Sequence, residues 1–596
     1  MNDPSDVVTN GNPQSIKDSA IENLRPVSVI VIGAGFSGIY CGVRIPERLR
    51  NVNLKIYEKN AGVGGTWYEN RYPGLKHKNG NLSSKLTISK AHSYQYTFAP
   101  NPNWSSFYAP APEIRQYLED VVKRFSVDRF IKCLHEVVGA QWDDKKAKWK
   151  VQVENIETGE TFTDEADVVI SARGTLNNIS WPIIDGLSDI KIPVMHSAAW
   201  DMNYDFKNKR IGVIGGGSSA IQIIPSLQKV AGTQLSCFIR SKTWISRPFG
   251  DVAMKRLGIK ETYCKKARFA NDPEHYLEFR TMIARDANSV HAITLKGSKY
   301  QETARDDFTE LMKERLAKKP EIFKALLPSF SVGCRRLTPG PGYLEALVEE
   351  NVDFIDTPIL KASANGLILK SGEERELDVL VCATGFQASA PPVFPVIGRN
   401  GQSMKEKFEP WAETYLSLAT DGFPNYFMML GPNAAIGTGS LTAMMEVTGD
   451  YIIKCIRKIQ KENIARMEVQ KRRVQDFSRV IDHYFQKTVY VDDCSSWYRS
   501  NGGKGNRVTG LWPGSTLHAM ECLRSPRWED FNYVYEGEDD GEECNRLAWL
   551  GNGWSIAQTD SQEGELAHFL QPGMVDIPAE PFPEETSIFK MRPFSY

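Results

Sequence analysis

The amino-acid sequence predicts an α/β protein with two domains of parallel strands and helices. The first observation is a glycine-rich loop, Gly33 to Gly38, that directly follows the apolar run Val27–Ile32. The second is a similar loop, Gly215 to Ala220, after the apolar run 211–214. Short runs rich in β-branched residues are typical of buried parallel strands. The third is the length of 596 residues, which exceeds that of one ordinary domain.

The first loop has the full G-x-G-x-x-G spacing of a Rossmann-type dinucleotide-binding unit. Gly33 allows a tight turn, Gly35 lets the backbone approach a pyrophosphate, and Gly38 permits close packing of the helix on the strand. Glu58 ends the next predicted strand, 20 residues after Gly38, where an acid would bind the ribose hydroxyls. Strand, loop, helix and acid occur in the required order, so we expect this unit to bind a dinucleotide.

The second loop has the same spacing with one replacement. Gly215 and Gly217 occupy the first two glycine positions, and Ala220 occupies the third, where the pattern allows alanine. Ser218 and Ser219 stand where the following helix begins, beside the predicted phosphates. Because a chain that holds two dinucleotides usually passes electrons between them, we predict a flavin enzyme supplied by a nicotinamide cofactor.

Cations follow the next predicted strand of the second unit. Arg240, Ser241 and Lys242 stand at the end of this strand, and no acid follows. A carboxylate there would favour NAD, whereas cations would neutralise the 2′-phosphate of NADP. The pattern therefore favours NADPH, with the alternative that Arg240 and Lys242 are ordinary surface charges.

The composition argues against several classes of protein. Lys and Arg total 72 and Asp and Glu 73, so the net charge of -1 gives no electrostatic reason to expect nucleic acid or an anionic membrane as a partner. The ten cysteines form no C-x-x-C pair, so we expect reduced, mostly buried thiols and no metal site. No apolar run approaches the roughly 20 residues that span a bilayer. The N-terminus lacks the basic start and apolar core of a signal peptide. We expect a cytoplasmic protein, and its oligomeric state stays open.

Further short motifs occur in a consistent order from about residue 26 to residue 530. They are Gly64-Gly65-Thr66-Trp67 with Tyr72-Pro73-Gly74, His196 to Asp201 with its Trp200, Gly333-Cys334-Arg335-Arg336-Leu337, Ala383-Thr384-Gly385, Gly422-Phe423-Pro424-Asn425 with Gly431-Pro432-Asn433, and Ser496-Trp497-Tyr498. Together they resemble the signatures of the FAD- and NADPH-dependent Baeyer–Villiger monooxygenases, the class B flavoprotein monooxygenases.

The resemblance implies an enzyme that inserts oxygen beside a ketone carbonyl and gives an ester or lactone through a C4a-peroxyflavin. Its cofactors would be FAD and NADPH, and its substrates a ketone and O2. It implies that Arg336 is catalytic, since developing oxyanions need a fixed cation, and that Arg335 grips the NADP phosphate. The alternative is that Arg336 only binds NADP. The other residues that the resemblance assigns to cofactor binding are Thr66, Trp67, Tyr94, His196, Trp200 and Trp497.

Loops and resemblance together divide the chain into five parts, with a discontinuous FAD domain. These parts are a disordered leader at 1–25, the first FAD-binding part at 26–185, an NADPH-binding domain at 186–358 with a helical insertion at about 251–326, the second FAD-binding part at 359–534, and a C-terminal extension at 535–596, expected to be weakly structured or a solvated arm.

Two places depart from the family pattern. Where the family has a short cysteine–aspartate segment, this chain has Leu75 to Lys90, and the aspartate expected to orient Arg336 is missing. Three explanations stay open. The segment is an adaptation with altered chemistry, a damaging change that makes the flavin release peroxide, or an intron retained in the reading frame. We favour the third. In addition, Ile190 and Ile192 stand where Phe and Gly are usual before His196, which implies a shifted linker.

Two other functions stay open. A related flavin monooxygenase that oxygenates nitrogen or sulfur would share both loops, although Trp200-Asp201 and the arginine segment argue against it. The altered loop would also suit a catalytically impaired flavin-binding protein or NADPH oxidase. Family analogy alone points to a bulky cyclic or polyketide-like ketone of secondary metabolism as the substrate.

Overall fold

A computed structural model describes residues 18–21, 25–72, 91–247, 266–388, 391–538, 545–555, 558 and 566–567. Outside the described residues lie Leu75 to Lys90, which is the segment that departs from the family pattern, the start of the predicted helical insertion, and most of both termini. The chain forms two compact units. One comprises Met1–Arg25, Gln460–Ile464 and Tyr535–Tyr596, and the other Pro26–Ile459 and Ala465–Val534.

Most strands are short, and the central ones are fully buried. In chain order they are β1 (Val27–Ile32), β2 (Val52–Glu58), β3 (Ile131–Cys133), β4 (His135–Asp143), β5 (Lys148–Asn155), β6 (Thr161–Ala166), β7 (Val168–Ser171), β8 (Val194–His196), β9 (Arg210–Ile214), β10 (Gln234–Phe238), β11 (Val352–Ile355), β12 (Ile359–Ser363), β13 (Gly366–Leu369), β14 (Glu374–Glu376), β15 (Val379–Cys382), β16 (Val396–Ile397), β17 (Tyr426–Met428), β18 (Ile464–Val469) and β19 (Phe531–Tyr535).

The first large sheet is parallel and has the strand order β17-β7-β1-β2-β3. Its central strand β1 is apolar and buried on both faces, which explains the continuous β-branched run in the sequence. The carboxyl ends of β1, β2 and β7 meet at one edge, where Ile32 is paired with Tyr57 and with Ser171. The first glycine loop therefore starts at the edge where ligands bind in open parallel sheets.

The second large sheet is also parallel, with the order β11-β10-β9-β15-β8. The prediction of a domain boundary at 358/359 needs correction here, because β15 lies in this sheet between β9 and β8 rather than in the first sheet. The physical reason is that Val379–Cys382, fully buried, pairs with β9 from Val379↔Ile211 to Cys382↔Ile214. Its neighbours β12, β13 and β14 form a small antiparallel sheet before it.

Two smaller sheets complete the second unit. The sequence segments that alternate between apolar and polar residues after residue 137 predict antiparallel strands, and β4, β5 and β6 confirm this prediction. Strand β16 pairs with β4 in parallel. β18 and β19 form a two-stranded sheet. The buried faces of β4 and β5 pack on the first large sheet, with Trp149 fully buried beside Tyr426.

The helices follow the predicted order. They are α1 (Phe36–Arg48), α2 (Thr66–Glu69), α3 (Ala111–Arg124), α4 (Ser218–Gln228), α5 (Lys266–Asn271), α6 (Pro273–Ser289), α7 (Lys299–Arg315), α8 (Pro320–Leu326), α9 (Tyr343–Leu347), α10 (Met404–Lys407), α11 (Leu441–Lys461), α12 (Lys471–Phe485), α13 (Ser500–Gly503) and α14 (Thr516–Cys522).

Helix α1 runs past Pro46, where the sequence predicts an end or a kink. Pro46 lies in the last turn, so only one internal hydrogen bond is lost before the helix ends at Arg48. From residue 266 to residue 326 the predicted insertion is helical, as expected. Asp272 and Ser298 cap α6 and α7 by accepting hydrogen bonds from backbone N–H groups.

The chain passes between the two large sheets twice, and the two connections pair with each other. The first follows β7 and the second follows β15. Ser180 N donates to Gly385 O over 3.0 Å, and Gln387 N donates to Asn178 O over 2.9 Å. Thr384 Oγ1 donates to Ser180 O over 2.6 Å. The two connections thus form one short ladder.

The described parts of both termini, predicted as a disordered leader and as a weakly structured extension or solvated arm, contact each other within their own unit. Ile21 N donates to Trp554 O over 2.7 Å, and Asn552 N donates to Ser19 O over 2.9 Å. A Cβ on Gly551 would lie 2.1 Å from Ser19 O, so glycine permits this approach. Separately, none of the described helices combines the length and the apolar character needed to cross a membrane.

Candidate active site

A cleft of about 1590 Å³ contains both glycine loops. Most of the predicted site residues line it, whereas Gly38, Lys242, His196 and Trp200 do not. Those that line it are Gly33, Gly35, Glu58, Thr66, Trp67, Tyr94, Gly215, Gly217, Ser218, Ser219, Arg240, Ser241, Arg335, Arg336 and Trp497.

The first loop has the backbone that the sequence predicts. Gly33 has φ +103°, a conformation that favours glycine. A Cβ on Gly38 would lie 1.9 Å from Gly33 O, so Gly38 serves the packing of α1 on β1, away from the cleft. Gly35 faces Gly65 across the loop, with a Cβ position 3.6 Å from Gly65 Cα. The start of α1 is therefore open to the close approach of a phosphate group.

Glu58 lies at the end of β2 and lines the cleft, with 4% of its side chain exposed. Its Oε2 accepts a hydrogen bond from Ala34 N at 2.7 Å, and its Oε1 accepts one from Asn60 N at 2.9 Å. Burial raises the pKa of this carboxyl, and the donated hydrogen bonds oppose the rise. Glu58 thus fixes the first loop and presents a carboxylate at the position predicted for a ribose.

Aromatic rings form a wall beside the first loop. The rings of Trp67 and Tyr94 lie 5.4 Å apart in an edge-to-face arrangement, and Tyr94 contacts Phe36 at 5.0 Å. Burial raises the pKa of Tyr94, while hydrogen bonding to Trp67 and the charge of Arg336 lower it. Arg336 therefore lies close to the aromatic wall of the first nucleotide site.

The second loop repeats the geometry of the first. Gly215 has φ +129°, and a Cβ there would lie 2.5 Å from Ala383 O. Gly217 has no heavy atom within 4 Å of its Cβ position, so the loop opens to the cleft. Ser218 Oγ lies 2.9 Å from Thr338 Oγ1, and Ser219 hydrogen-bonds the buried Tyr72. These serines hold the start of α4 in place.

Two cations meet beside the second loop. Arg240 is exposed and lines the cleft next to Ser241. Arg335 Nη1 donates to Lys242 O over 2.9 Å, which brings its guanidinium to the same region. Burial lowers the pKa of Arg335. Lys242 itself does not line the cleft, and its backbone oxygen accepts the hydrogen bond from Arg335, so its part in cofactor binding stays a prediction.

Arg336 lies on the cleft wall with its side chain exposed. Its charge lies near two tyrosines from distant parts of the chain, Tyr94 and Tyr498. In the part of the chain that the structure describes, Arg336 forms no ion pair. The cation thus stands between the first nucleotide loop and the C-terminal segment with no described carboxylate partner.

Trp497 is half-buried and lines the cleft. Its ring contacts Tyr498 edge-on at 4.6 Å. The ring also covers Gly510, whose Cβ position lies 3.3 Å from Trp497. The sequence motif therefore places an aromatic side chain in the cleft, as predicted.

His196 and Trp200 do not line the cleft, and their contact with a cofactor stays a prediction. His196 is fully buried at the end of β8, its Nδ1 accepts a hydrogen bond from Ala198 N at 3.1 Å, and its ring contacts Trp181 at 5.4 Å. Burial lowers the pKa of His196. Trp200 stacks on Phe206 at 5.4 Å. The fully buried His196 lies at the end of β8, and the partly buried Trp200 packs against the core of the second sheet.

The expectation that all cysteines are reduced is wrong for one pair. Cys334 and Cys494 form a disulfide with 6.5 Å between their Cα atoms. Six other described cysteines are free thiols, and four of these are buried. The sequence gives no signal for this pair, since the two residues are 160 positions apart and meet only through the tertiary fold.

One segment of the cleft wall was not predicted from the sequence. Residues 435–441, which follow the Gly431-Pro432-Asn433 motif, line the cleft. A Cβ on Gly437 would lie 1.8 Å from the hydroxyl of Tyr490, and one on Gly439 would lie 2.2 Å from Thr516 Oγ1. The G-x-G spacing of Gly437 and Gly439 was the feature of the sequence that could have identified this segment.

The residues present fit two dinucleotides. Two helix N-termini, each preceded by a glycine turn, face one cleft, with an acid beside the first and two arginines beside the second. An acid suits ribose hydroxyls, and arginines suit a 2′-phosphate. The cleft also exceeds the roughly 300–1,000 Å³ of a pocket for one small ligand.

Comparison with known proteins agrees with this geometry. Residues 31–109 match a family model described as an NAD(P)-binding Rossmann-like domain. An FAD-binding monooxygenase of Aspergillus terreus, tazF, is 35% identical over 92% of this chain and 95% of its own length. A Baeyer–Villiger monooxygenase of Pseudomonas aeruginosa is 31% identical over 84% of this chain and 90% of its own length.

Solved structures share the fold. Cyclohexanone monooxygenase from Rhodococcus sp. Phi1, bound to NADP+, is 25% identical, with a TM-score of 0.70 over 86% of this chain and 100% of that one. An oxidised steroid monooxygenase bound to NADP is 26% identical, with a TM-score of 0.69 over 85% of this chain and 100% of that one.

Proposed function

Since this chain belongs to the family of FAD-binding Baeyer–Villiger monooxygenases, we propose that it uses NADPH and O2 to insert an oxygen atom beside a ketone carbonyl. The product is an ester or lactone. The observation that carries the proposal is the position of Arg336 in one cleft with both nucleotide loops, between Tyr94 and Tyr498.

Bound FAD, once reduced by NADPH, would supply the chemistry that activates O2. The first loop and Glu58 would hold the FAD, with the pyrophosphate at the start of α1 and the ribose at the carboxylate. Trp67 and Tyr94 would cover the flavin side of the cleft with apolar surface. An environment shielded from water strengthens the electrostatic interactions within it.

Arg336 is the residue that we assign to catalysis. Its planar guanidinium offers several fixed donors to an oxyanion. Arg335 and Arg240 would bind the 2′-phosphate of NADPH beside the second loop. Trp497 would pack against the nicotinamide side of the site.

Arg336 would act without the aspartate that is usual in the family. Residues 73–90 contain neither Asp nor Glu, so this segment supplies no carboxylate to the arginine whatever its conformation. The charge of Arg336 lowers the pKa of Tyr94 and of Tyr498, against the effect of their burial, so both hydroxyls lie within its electrostatic reach. Without a carboxylate from this segment, the guanidinium charge would be less neutralised and more available to an oxyanion.

Product analysis tests the proposal directly. The FAD-loaded enzyme is supplied with NADPH, O2 and either cyclohexanone or a thioether, and ester or lactone, sulfoxide and hydrogen peroxide are quantified. Ester or lactone formation supports the proposal. Sulfoxide from the thioether with no ester or lactone from the ketone would instead identify a sulfur-oxygenating enzyme. Peroxide equal to the NADPH consumed, with neither product, would identify an NADPH oxidase.

Substrate and location are the finer parts of the proposal. By family analogy alone, the substrate we propose is a bulky ketone of the kind found in secondary metabolism. We propose a cytoplasmic location, which fluorescence microscopy of a tagged chain tests.

A further inference from the structure

The Cys334–Cys494 disulfide joins two walls of the cleft. Cys334 directly precedes Arg335 and Arg336, and Cys494 lies shortly before Trp497. Neither cysteine lines the cleft, whereas residues on both sides of each do. The covalent bond therefore ties the arginine wall to the tryptophan wall from behind.

The disulfide is shielded from solvent. The exposed fraction is 0% for Cys334 and 5% for Cys494. Reactive or regulatory cysteines usually lie in accessible positions, whereas buried disulfides are inert structural links. Its position and burial together indicate a role in holding the two walls at a fixed separation.

Polar contacts fasten the same two segments on either side of the disulfide. Asp492 Oδ2 accepts a hydrogen bond from Ser331 N at 3.1 Å, and its Oδ1 lies 3.6 Å from Lys296 Nζ. Arg499 Nη1 donates to Asp492 O over 2.7 Å and to Cys494 O over 3.2 Å. Hydrogen bonds from Arg499 thus join the two ends of segment 492–499, and Asp492 anchors this segment to Ser331, shortly before Cys334.

The reacting side of this segment faces Arg336. The buried hydroxyl of Tyr498 interacts with the charge of Arg336, and the Trp497 ring contacts Tyr498 edge-on. Tyr498 O accepts hydrogen bonds from Thr509 N at 2.8 Å and from Gly510 N at 2.9 Å. A displacement of Cys494 relative to Cys334 would therefore change the distance between the cation and the aromatic rings.

We propose that the Cys334–Cys494 disulfide sets the spacing between Arg336 and the Trp497–Tyr498 pair and so keeps water out of the oxygen-transfer site. The proposal rests on the proposed function, because water exclusion matters for a cleft in which reduced flavin meets O2. Cys334 and Cys494 are positioning residues, since they act through their neighbours.

The first test measures structure rather than activity. Peptide mapping of the unreduced holoenzyme should give one peptide that links Cys334 with Cys494. Hydrogen–deuterium exchange of residues 489–505 should be faster in Cys494→Ser than in the wild type. Cys522→Ser, which removes a free, half-buried thiol outside the cleft, is the matched control and should exchange like the wild type. A missing linked peptide or unchanged exchange would overturn the proposal.

The second test follows reduced flavin in the absence of any ketone. Each holoenzyme is reduced with NADPH and mixed with oxygenated buffer in a stopped-flow instrument. We expect the return to oxidised flavin, with peroxide release, to be about tenfold faster in Cys334→Ser and Cys494→Ser, because water would enter the site once the two walls separate. Cys522→Ser should match the wild type. Faster exchange with an unchanged flavin rate would refute the link to water exclusion.

If a serine variant does not fold, the disulfide is removed instead by treating the folded wild-type holoenzyme with dithiothreitol. The dithiol gives two electrons, the S–S bond breaks, each cysteine sulfur gains a proton, and the reagent closes to its cyclic disulfide. If the disulfide is completely reduced and neither the hydrogen–deuterium exchange nor the rate of return to oxidised flavin changes, the proposal is contradicted. If the wild type oxygenates no ketone, the proposed function fails, but the exchange result still decides whether the disulfide positions the loop.

Discussion

At the scale of single residues, Arg336 and Arg335 are neighbours in sequence with different surroundings. Arg335 is partly buried and hydrogen-bonds the backbone of Lys242, whereas Arg336 is exposed to the cleft between Tyr94 and Tyr498. This difference separates an anchoring cation from one free to face reacting atoms. Their substitutions should therefore affect different kinetic constants.

Arg336→Ala should lower kcat for ketone oxygenation by about 100-fold or more, because a fixed donor to an oxyanion is lost. Arg335→Ala should raise KM for NADPH with a smaller change in kcat. Steady-state kinetics with NADPH and cyclohexanone separates the two constants. If Arg336→Ala raises KM for NADPH and leaves kcat unchanged, Arg336 is the plain NADP-binding cation of the alternative interpretation.

Arg240 should decide between the two nicotinamide cofactors. Arg240→Ala should lower kcat/KM for NADPH by about tenfold, or about 1.4 kcal/mol, through loss of a phosphate contact, and leave kcat/KM for NADH unchanged. Lys242→Ala is the comparison, since Lys242 lies outside the cleft. Flavin reduction by each cofactor measures both variants. Equal losses with NADPH and NADH would exclude recognition of the 2′-phosphate.

At the scale of elements, the turn after β9 has no room for a side chain at its first glycine. Gly215→Ala would place a Cβ 2.5 Å from Ala383 O at φ +129° and should destabilise the fold by about 2 kcal/mol. Gly217→Ala meets no atom within 4 Å and should unfold like the wild type, while it weakens NADPH binding at the cleft. Urea denaturation compares the two. Equal stability of both variants would show that the turn relaxes.

Side-chain contacts to Asp164 on β6 connect the antiparallel sheet with β2 of the first large sheet. Lys55 Nζ and the Tyr57 hydroxyl each donate to its carboxylate at 2.7 Å. Burial raises the pKa of Asp164, but these hydrogen bonds outweigh burial, so the pKa lies below its ordinary 3.8. Because the folded-state pKa is lowered, the stabilisation is complete above pH 3.8 and is lost as pH falls through the folded-state value.

Asp164→Asn should therefore cost about 1 kcal/mol at pH 7 and much less in acid, where the wild type has lost the same contribution. Urea unfolding of both chains at pH 7 and at acid pH measures the difference. A loss of equal size at both pH values would show that the side-chain shape matters and the charge does not.

Elements formed by local pattern were predicted well from the sequence. Both glycine loops, the apolar strands β1 and β9, and helices α3 and α4 follow from spacing and periodicity within about 20 residues. Strand β15 was assigned to the wrong sheet because a fully apolar run is compatible with either sheet. The Cys334–Cys494 disulfide was missed because its two ends are distant in the chain. His196 and Trp200 do not line the cleft, which the motif alone could not predict because it identifies a position and not the direction of a side chain.

At the scale of the whole molecule, family membership and the two-sheet α/β fold, both predicted from the order of the motifs, are confirmed. The segment between Tyr72 and Ala91 is the exception to this agreement. The residues on either side of it are held by hydrogen bonds to other parts of the fold, because Tyr72 hydrogen-bonds Ser219 and Ala91 N donates to Phe107 O. These bonds can form whether or not the mature protein contains the residues between them.

Transcript sequencing across Gly74 to Tyr94 should show that the mature message lacks most of the codons for Leu75 to Lys90. The reason is that a polar insert replaces one short motif while the sequence matches the family on both sides. If the message retains these codons, the segment is a genuine part of the protein. The peroxide yield per NADPH then distinguishes an adapted enzyme from a damaged one.

The paired connections between the two large sheets restrict how these sheets can move. A single strand of chain would permit twisting, sliding and bending alike. Here two adjacent connections share the hydrogen bonds of Ser180, Gln387 and Thr384, and twisting or sliding would break all of them together. Bending across the ladder preserves them. The paired connections therefore resist sliding and twisting of one large sheet against the other more than they resist rotation about the ladder.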